Sequence, residues 1–269
     1  MKRLLAILFA AVMVFTLTAC GEGKNLSGQD ETTLKKENTV TIHIPKTITM
    51  TLSGDPQDMV IGPAEHIFED GWQEKDSFTV TYLMPIEGMP QNVTTTYANG
   101  KATATVTAQD KEISRSEIIY NGQGKVASQV TYTAAEQVEK TENKYTYDEK
   151  GRTITLETIV HYIDVAPVSV KHEFTITEID DGSVGVYISG GMEYRYTYDK
   201  NDRLVSNVTT VNSQELSRTE FTYDDFGNVL TQTQITATTN SAEAKIVTAY
   251  TYEAVTVSTE KAAKLKWWK

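Results

Sequence analysis

The chain holds a single cysteine among 269 residues, so no disulfide can form within it. It has four histidines, His43, His66, His161 and His172, and no two stand at metal-ligand spacing. His172 falls in phase with the apolar Val168, Val170, Phe174 and Ile176, which reads as a histidine on a core face. Gly-x-Ser-x-Gly, His-Glu-x-x-His and a phosphate-cradling glycine loop are all missing. Neither Asp180-Asp181-Gly182 nor Asp199-Lys200-Asn201-Asp202 fits the twelve-residue calcium loop, and turn chemistry accounts for both. Neither a catalytic set, a metal site nor a cofactor is therefore assigned. Basic charge is also scarce: the formal net charge is −11, which disfavours nucleic acid as a partner. After the first 19 residues no apolar run is long enough to cross a bilayer as a helix. A sustained 3.6-residue period is missing from the body as well, which excludes a helical domain.

What is present begins at the N-terminus. Met1-Lys2-Arg3 is basic, 4–17 is apolar, and Leu17-Thr18-Ala19-Cys20 ends on the lone cysteine. That order is a secretory signal, with a charged start, a short apolar stretch and a small-residue cleavage point. The last four residues resemble the lipobox of bacterial lipoproteins. The resemblance implies cleavage before Cys20, acyl chains on Cys20, and anchoring outside the cytoplasmic membrane or on an outer membrane. Removing Lys2 and Arg3 leaves 23 basic against 36 acidic residues, a net charge of −13. Such a chain gains little from anionic lipid. Acyl chains would anchor it instead, each buried methylene contributing about 0.8 kcal/mol. Residues 20–38 are polar with two isolated leucines and read as a flexible tether, reaching about 25 Å as a random coil.

From Thr39 the period is two. Val40, Ile42, Ile44, Ile48, Met50 and Leu52 alternate with threonines and His43, as in a half-buried strand with threonine facing out. Alternation resumes at Phe78, Val80, Tyr82 and Met84, at 102–107, at 154–162 and at 168–176, the last two joined by a turn near Asp164 to Pro167. Between them, 53–76 carries Gly-Asp-Pro, Gly-Pro and Asp-Gly breakers and reads as mostly loop. The domain therefore spans 39–259, and 260–269 forms a Lys/Trp tail with helical character. Its tryptophans and lysines suit a membrane interface, a partner, or the end of the sheet.

Self-similarity sets the architecture. Tyr147-Asp148-Glu149-Lys150-Gly151-Arg152 recurs as Tyr198-Asp199-Lys200-Asn201-Asp202-Arg203 and as Tyr223-Asp224-Asp225-Phe226-Gly227-Asn228. Tyr120-Asn121-Gly122-Gln123-Gly124-Lys125 is a weaker copy, with echoes at Tyr97 and Tyr252. The tyrosines stand 23, 27, 51, 25 and 29 residues apart, and a degenerate copy near Asp180 would fill the long gap. The aspartate can accept from amides ahead of it, and Gly151 supplies the left-handed residue of a type I turn with a G1 bulge. Asp202 takes the glycine's place in one copy. Each unit is a β-hairpin, marginal alone, so successive hairpins must pair edge to edge. The fold class is all-β: antiparallel hairpin repeats forming a twisted, open or rolled β-strip.

The units over 116–252 resemble the YD, or Rhs, repeat of large bacterial surface and toxin proteins. The resemblance implies a spiralling strip of hairpins and carbohydrate binding. Within the units, aromatics recur at every second position: Tyr145 and Tyr147; Tyr194, Tyr196 and Tyr198; Phe221 and Tyr223; Tyr250 and Tyr252. Alternate residues share a sheet face, so these rows are either a platform for sugar rings or a stretch of core. The functional expectation is a non-enzymatic binding or scaffolding lipoprotein, with an extracellular glycan or envelope protein as partner. The other readings are a purely structural or protein-contact lipoprotein and, more distantly, a hydrolase whose carboxylates meet only in the fold.

Overall fold

The computed structural model describes residues 39–54, 59–86, 89–133, 138–237 and 243–265. Cys20, the signal segment, the tether, Trp267 and Trp268 lie outside the described residues. The period-two stretch from Thr39 forms one long strand, β1 (Thr39–Ser53), bulged between Pro45 and Thr47, with Ile44, Ile48 and Met50 buried. Next come β2 (Met59–Glu65), β3 (Ile67–Phe68), β4 (Ser77–Met84), β5 (Gln91–Ala98), β6 (Lys101–Ala108), β7 (Lys111–Tyr120), β8 (Val126–Thr133) and β9 (Val138–Tyr147). The second half holds β10 (Thr153–Tyr162), β11 (Val168–Glu173), β12 (Thr175–Ile179), β13 (Gly182–Ser189), β14 (Met192–Asp199) and β15 (Leu204–Val211). It ends with β16 (Gln214–Tyr223), β17 (Val229–Ala237), β18 (Glu243–Ser258) and α1 (Thr259–Lys264).

Among the described residues these strands form two antiparallel sheets of nine. One, the central sheet, runs β3 to β11 in chain order; the other, the terminal sheet, runs β12 to β18 and then β1 and β2. The hairpin array is thus a meander folded over on itself, with the first and last strands paired along Thr39–Ser258 to Ser53–Lys245. The chain passes between sheets at His66 and at Phe174. At the first crossing the His66 N–H donates to the Lys46 carbonyl (2.8 Å) and Glu69 N–H to Thr79 (2.9 Å). At the second, Phe174 N–H donates to Ile154 (2.9 Å) while its ring is buried. The sheets are not closed into a barrel.

Three expectations need correction. Within 53–76, residues 59–65 and 67–68 are strand rather than loop. β2 pairs with β1, and Ile61 and Ala64 are buried against the central sheet. Gly62-Pro63 reads as a breaker, yet β2 is an edge strand, where a missing N–H removes no ladder bond. Residues 168–176 are not one strand, because Phe174 turns the chain from one sheet to the other. The long gap in the repeat holds a hairpin of a different kind. Ile179 pairs directly with Gly182, so Asp180-Asp181 is a two-residue loop.

Where the sheets meet tightly, two dry clusters form. One joins Ile48, Met50 and Tyr250 of the terminal sheet to Tyr82, Met84 and Val93 of the central sheet. The other gathers Ile44, Trp72, Phe78, Tyr97, Ile118 and Val257. Burying a side chain such as Phe78 contributes about 1.5–3 kcal/mol. Helix α1 covers the end of the second cluster. Ser258 caps its N-terminus, the Oγ accepting from Lys261 N–H at 3.1 Å. Leu265 is buried, and the Lys261 ammonium donates to the Lys75 carbonyl above the Phe78 ring, 4.6 Å from its centre.

The repeated turns share one geometry. In each of the three aspartate copies the aspartate N–H donates to the carbonyl four residues on, at 2.9–3.0 Å. The residue three on donates back to the aspartate carbonyl. One carboxylate oxygen accepts from the backbone N–H of Arg152, Arg203 or Asn228 at 2.8–3.0 Å, and the other accepts from that residue's side chain at 2.7–2.8 Å. Asn121 makes the same turn with its amide oxygen. The closing residue has positive φ in each: Gly124 80°, Gly151 79°, Asp202 58° and Gly227 88°. Gly227→Ala should therefore cost about 1 kcal/mol. Asp202→Gly should be neutral or stabilising, since the ion pair of Asp202 among the described residues is a long one, 4.0 Å to Arg152. Urea midpoints of the two variants check this, and a clear loss of stability in Asp202→Gly would contradict it.

Candidate functional site

Each turn fixes a tyrosine. Tyr147, Tyr223 and Tyr252 donate their hydroxyls to the carbonyls of Val126, Leu204 and Val229, at 2.7, 2.6 and 2.8 Å. In each case the acceptor is the residue just past the preceding turn, so every unit is pinned to the one before it. Tyr198 departs from this rule for a topological reason. The unit before it belongs to the other sheet, and its hydroxyl accepts from Thr153 N–H across the gap at 3.0 Å. Arg152 makes the same crossing. It bonds Asp148 on its own turn (2.7 Å) and Glu178 on β12 (2.6 Å), while Lys150 also reaches Glu178 (3.1 Å). The turns of both sheets thus line one rim of the molecule, and ion pairs join the sheets there.

Behind this rim the repeat strands stand apart rather than packing dry. The gap is a cavity of about 470 Å³ between β9 and β10 on one side and β14 to β17 on the other. A cleft of that size is in the range of small-molecule sites, about 300–1,000 Å³. Its walls follow from strand register. Tyr145 stands opposite Leu156, and Asn143 opposite Thr158. Tyr196 stands opposite Asn207 and Tyr194 opposite Thr209. Phe221 faces Gln232, and Thr219 faces Gln234. On β9, β15 and β16 the rings and apolar groups sit nearest the turns and the amides and hydroxyls lie deeper along the strands. The result is an aromatic layer above a belt of uncharged polar groups.

Of the aromatic positions singled out in the sequence, Tyr145, Tyr147, Tyr194, Tyr196, Tyr198, Phe221 and Tyr223 line this cleft. Tyr198 is buried and the others are half-buried. They face inward between the sheets rather than forming an open outer platform, and Phe221, Tyr223 and Tyr145 also pack against the edges of the dry clusters. Tyr250 and Tyr252 are not among the lining residues: Tyr250 belongs to the first dry cluster and Tyr252 packs against it. Tyr120 is buried in the second cluster. The turn residues Asp148, Asp199, Asp224, Gly124 and Gly227 shape the rim, and Gly151 and Asp202 also reach the cleft wall. Sequence reasoning missed Asn143, Thr158, Asn207, Thr209, Thr219, Gln232 and Gln234. Tyrosine phase on the same strands would have found Asn143 and Thr219.

The aromatic wall of the cleft is uncharged. Burial pushes the Tyr145 phenol up to about 12 and the Tyr196 phenol still higher, so both stay protonated at neutral pH. They can donate and accept but not act as bases. Asp202 is the carboxylate among the described lining residues. Burial works against ionisation of Asp199, but Arg203 and two backbone donors outweigh it and hold its carboxyl below the usual range. Gln232 is 5% exposed, and its Oε1 has no hydrogen-bond partner among the described residues. An unmade bond at a buried acceptor costs about 1–3 kcal/mol.

The histidines lie elsewhere. His172 packs edge-on against Tyr187 (4.6 Å) and near Tyr194 (4.8 Å), and burial lowers its pKa. His43 stacks on Phe226 at 4.0 Å, and His161 Nε2 is 4.0 Å from Glu142. Among the described residues no group of three or more His, Cys, Asp or Glu is placed to hold a metal ion.

No family model matches the chain, and no curated protein matches it. Among solved structures it is similar to a porin-like protein from Bacteroides uniformis, with 10% identity and a TM-score of 0.39 over 78% of this chain and 96% of that one. It is similar to a second porin-like protein, from Bacteroides vulgatus, with 12% identity and a TM-score of 0.36 over 78% of this chain and 99% of that one. Overlaps this loose do not make a shared fold.

Proposed function

We propose that the chain is a non-catalytic binding lipoprotein of the cell envelope, held by acyl chains on Cys20, whose inter-sheet cleft takes a segment of a glycan or envelope polymer. The observation that carries this reading is the buried, unpartnered Oε1 of Gln232 in a cleft walled by seven aromatic rings. Sugars combine apolar ring faces with many hydroxyls. Aromatic faces with amides and hydroxyls beside them complement both. A ligand hydroxyl donating to Gln232 would complete its bonding. The YD-like units and the lipobox-like Leu17–Cys20 agree with a surface role. The neutral, high-pKa phenols and the tied rim carboxylates support binding rather than hydrolysis.

Gln232→Leu separates a binding cleft from an imperfect core. It removes the unpartnered acceptor at nearly constant volume. The free protein should be as stable as the parent or more so, while affinity on a glycan array or for purified cell-wall polymer falls about tenfold. Unchanged binding, or no binding by the parent to any polymer, would end the reading. A protein-contact lipoprotein is the second reading, favoured by the exposed Ile163, Val165, Val168 and Val170 on and beside the β10–β11 hairpin.

A further inference from the structure

The cleft holds two basic side chains, Lys125 and Arg203, and they differ in one respect. Arg203 is neutralised: its guanidinium bonds Asp199 Oδ2 at 2.7–2.8 Å and lies on the Tyr223 ring, 4.7 Å from its centre. The other cations of the rim are occupied as well. Arg152 holds Asp148 and Glu178, and Lys150 holds Glu178. Lys125 is half-buried on the cleft wall, yet no carboxylate among the described residues lies within 4.0 Å of its ammonium. Its stem lies across Gly151, where a Cβ would stand 2.8 Å from Nζ and closer still to Cε. The glycine of the neighbouring turn therefore seats this side chain.

In a chain carrying eleven excess negative charges, an uncompensated ammonium at the wall of a cleft is a local inversion of sign. Asp202 is the carboxylate among the described lining residues, and its ion pair, at 4.0 Å, is with Arg152 and not with Lys125. We infer that Lys125 receives an anionic substituent, a carboxylate or a phosphate, on the saccharide bound in the cleft, so the ligand class is an acidic glycan rather than a neutral one. This inference rests on the glycan reading of the same cleft. The aromatic layer and the amide belt would hold the uncharged sugar rings, and Lys125 at the turn end would select for the acid. A partly desolvated ammonium–anion bond is worth roughly a tenfold preference over a neutral counterpart.

The test is a panel of paired oligosaccharides, each acidic member matched to its neutral counterpart: uronic acids with their methyl esters, and sugar phosphates with the free sugars. Binding to the full exported chain is measured for the parent and for Lys125→Met, with thermal midpoints confirming that both are folded. The expected result is a preference of about tenfold for acidic members, shrinking at high salt and falling to about one in Lys125→Met. The uronate and phosphate arms show which anion is favoured. Equal binding of acidic and neutral members, or a preference that survives Lys125→Met, overturns the inference while leaving the glycan reading in place. Binding to no member of the panel removes both.

Discussion

Gly182→Ala is expected to lower stability by about 3 kcal/mol. Gly182 begins β13 at φ 148°, directly after the Asp180-Asp181 loop, and pairs with Asp199. A Cβ there would press into the Tyr198 carbonyl oxygen and come within 2.9 Å of the Asp199 carbonyl carbon. These are backbone atoms of the adjacent strand, so no rotamer change relieves the clash. The site matters for the cleft too, because Tyr198 and Asp199 are the residues displaced. The thermal midpoint should fall by roughly 6–12 °C. Gly190→Ala is the control. It also has positive φ, 59°, but nothing lies within 4 Å of its Cβ position, so only the backbone cost of about 1 kcal/mol applies. Equal losses at the two positions would show that the close approach of β13 to β14 does not exist in solution.

The second large effect is a loss of stability on mild acidification. Burial at the crossing between β2 and β3 lowers the His66 pKa from 6.5 to about 4, with a backbone hydrogen bond at Lys46 partly opposing the shift. The ring lies 4.7 Å from Tyr82, and its Nδ1 has no hydrogen-bond partner among the described residues. Because the folded pKa is the lower one, the unfolded chain takes up the proton first. Stability is full above pH 6.5, falls as pH drops toward 4, and levels off below that. The whole decline amounts to as much as about 3 kcal/mol. His66→Phe keeps a ring against Tyr82 and has no proton to bind, so its stability should decline less over the same interval, by the share that His172, whose pKa burial also lowers, still contributes. Denaturant midpoints between pH 7 and 4 compare the two. Parallel curves would mean that His66 is solvated in the folded chain.

Much of this architecture is legible in the sequence. Alternation marked most strands, and Asp-x-x-Gly marked the turns, because both are local: side chains alternate by geometry, and a carboxylate bonds amides two and four residues ahead. The fold-over was hidden. Nothing local distinguishes Phe174 from the other apolar residues of 168–176, and the bend there depends on which sheet each half joins. β2 was hidden for the opposite reason, since Gly62-Pro63 breaks most strands but not an edge. The cleft was half visible. Tyrosine rows announced an aromatic face, but Thr158, Asn207 and Gln232 look like ordinary outward polar residues. Only strand register turns them inward, opposite the rings. Lys125 is a turn residue by sequence and a cleft residue by structure, and that difference is tertiary.

The central claim is that the repeated tyrosines wall a ligand site between the sheets. An NMR titration of tyrosine-ring-labelled protein with the oligosaccharide panel tests it most directly. The expected result is saturable shifts at Tyr145, Tyr194 and Tyr196, with Tyr82, Tyr97 and Tyr250 in the dry clusters unmoved. Shifts confined to residues outside the cleft, or none at all, would contradict it.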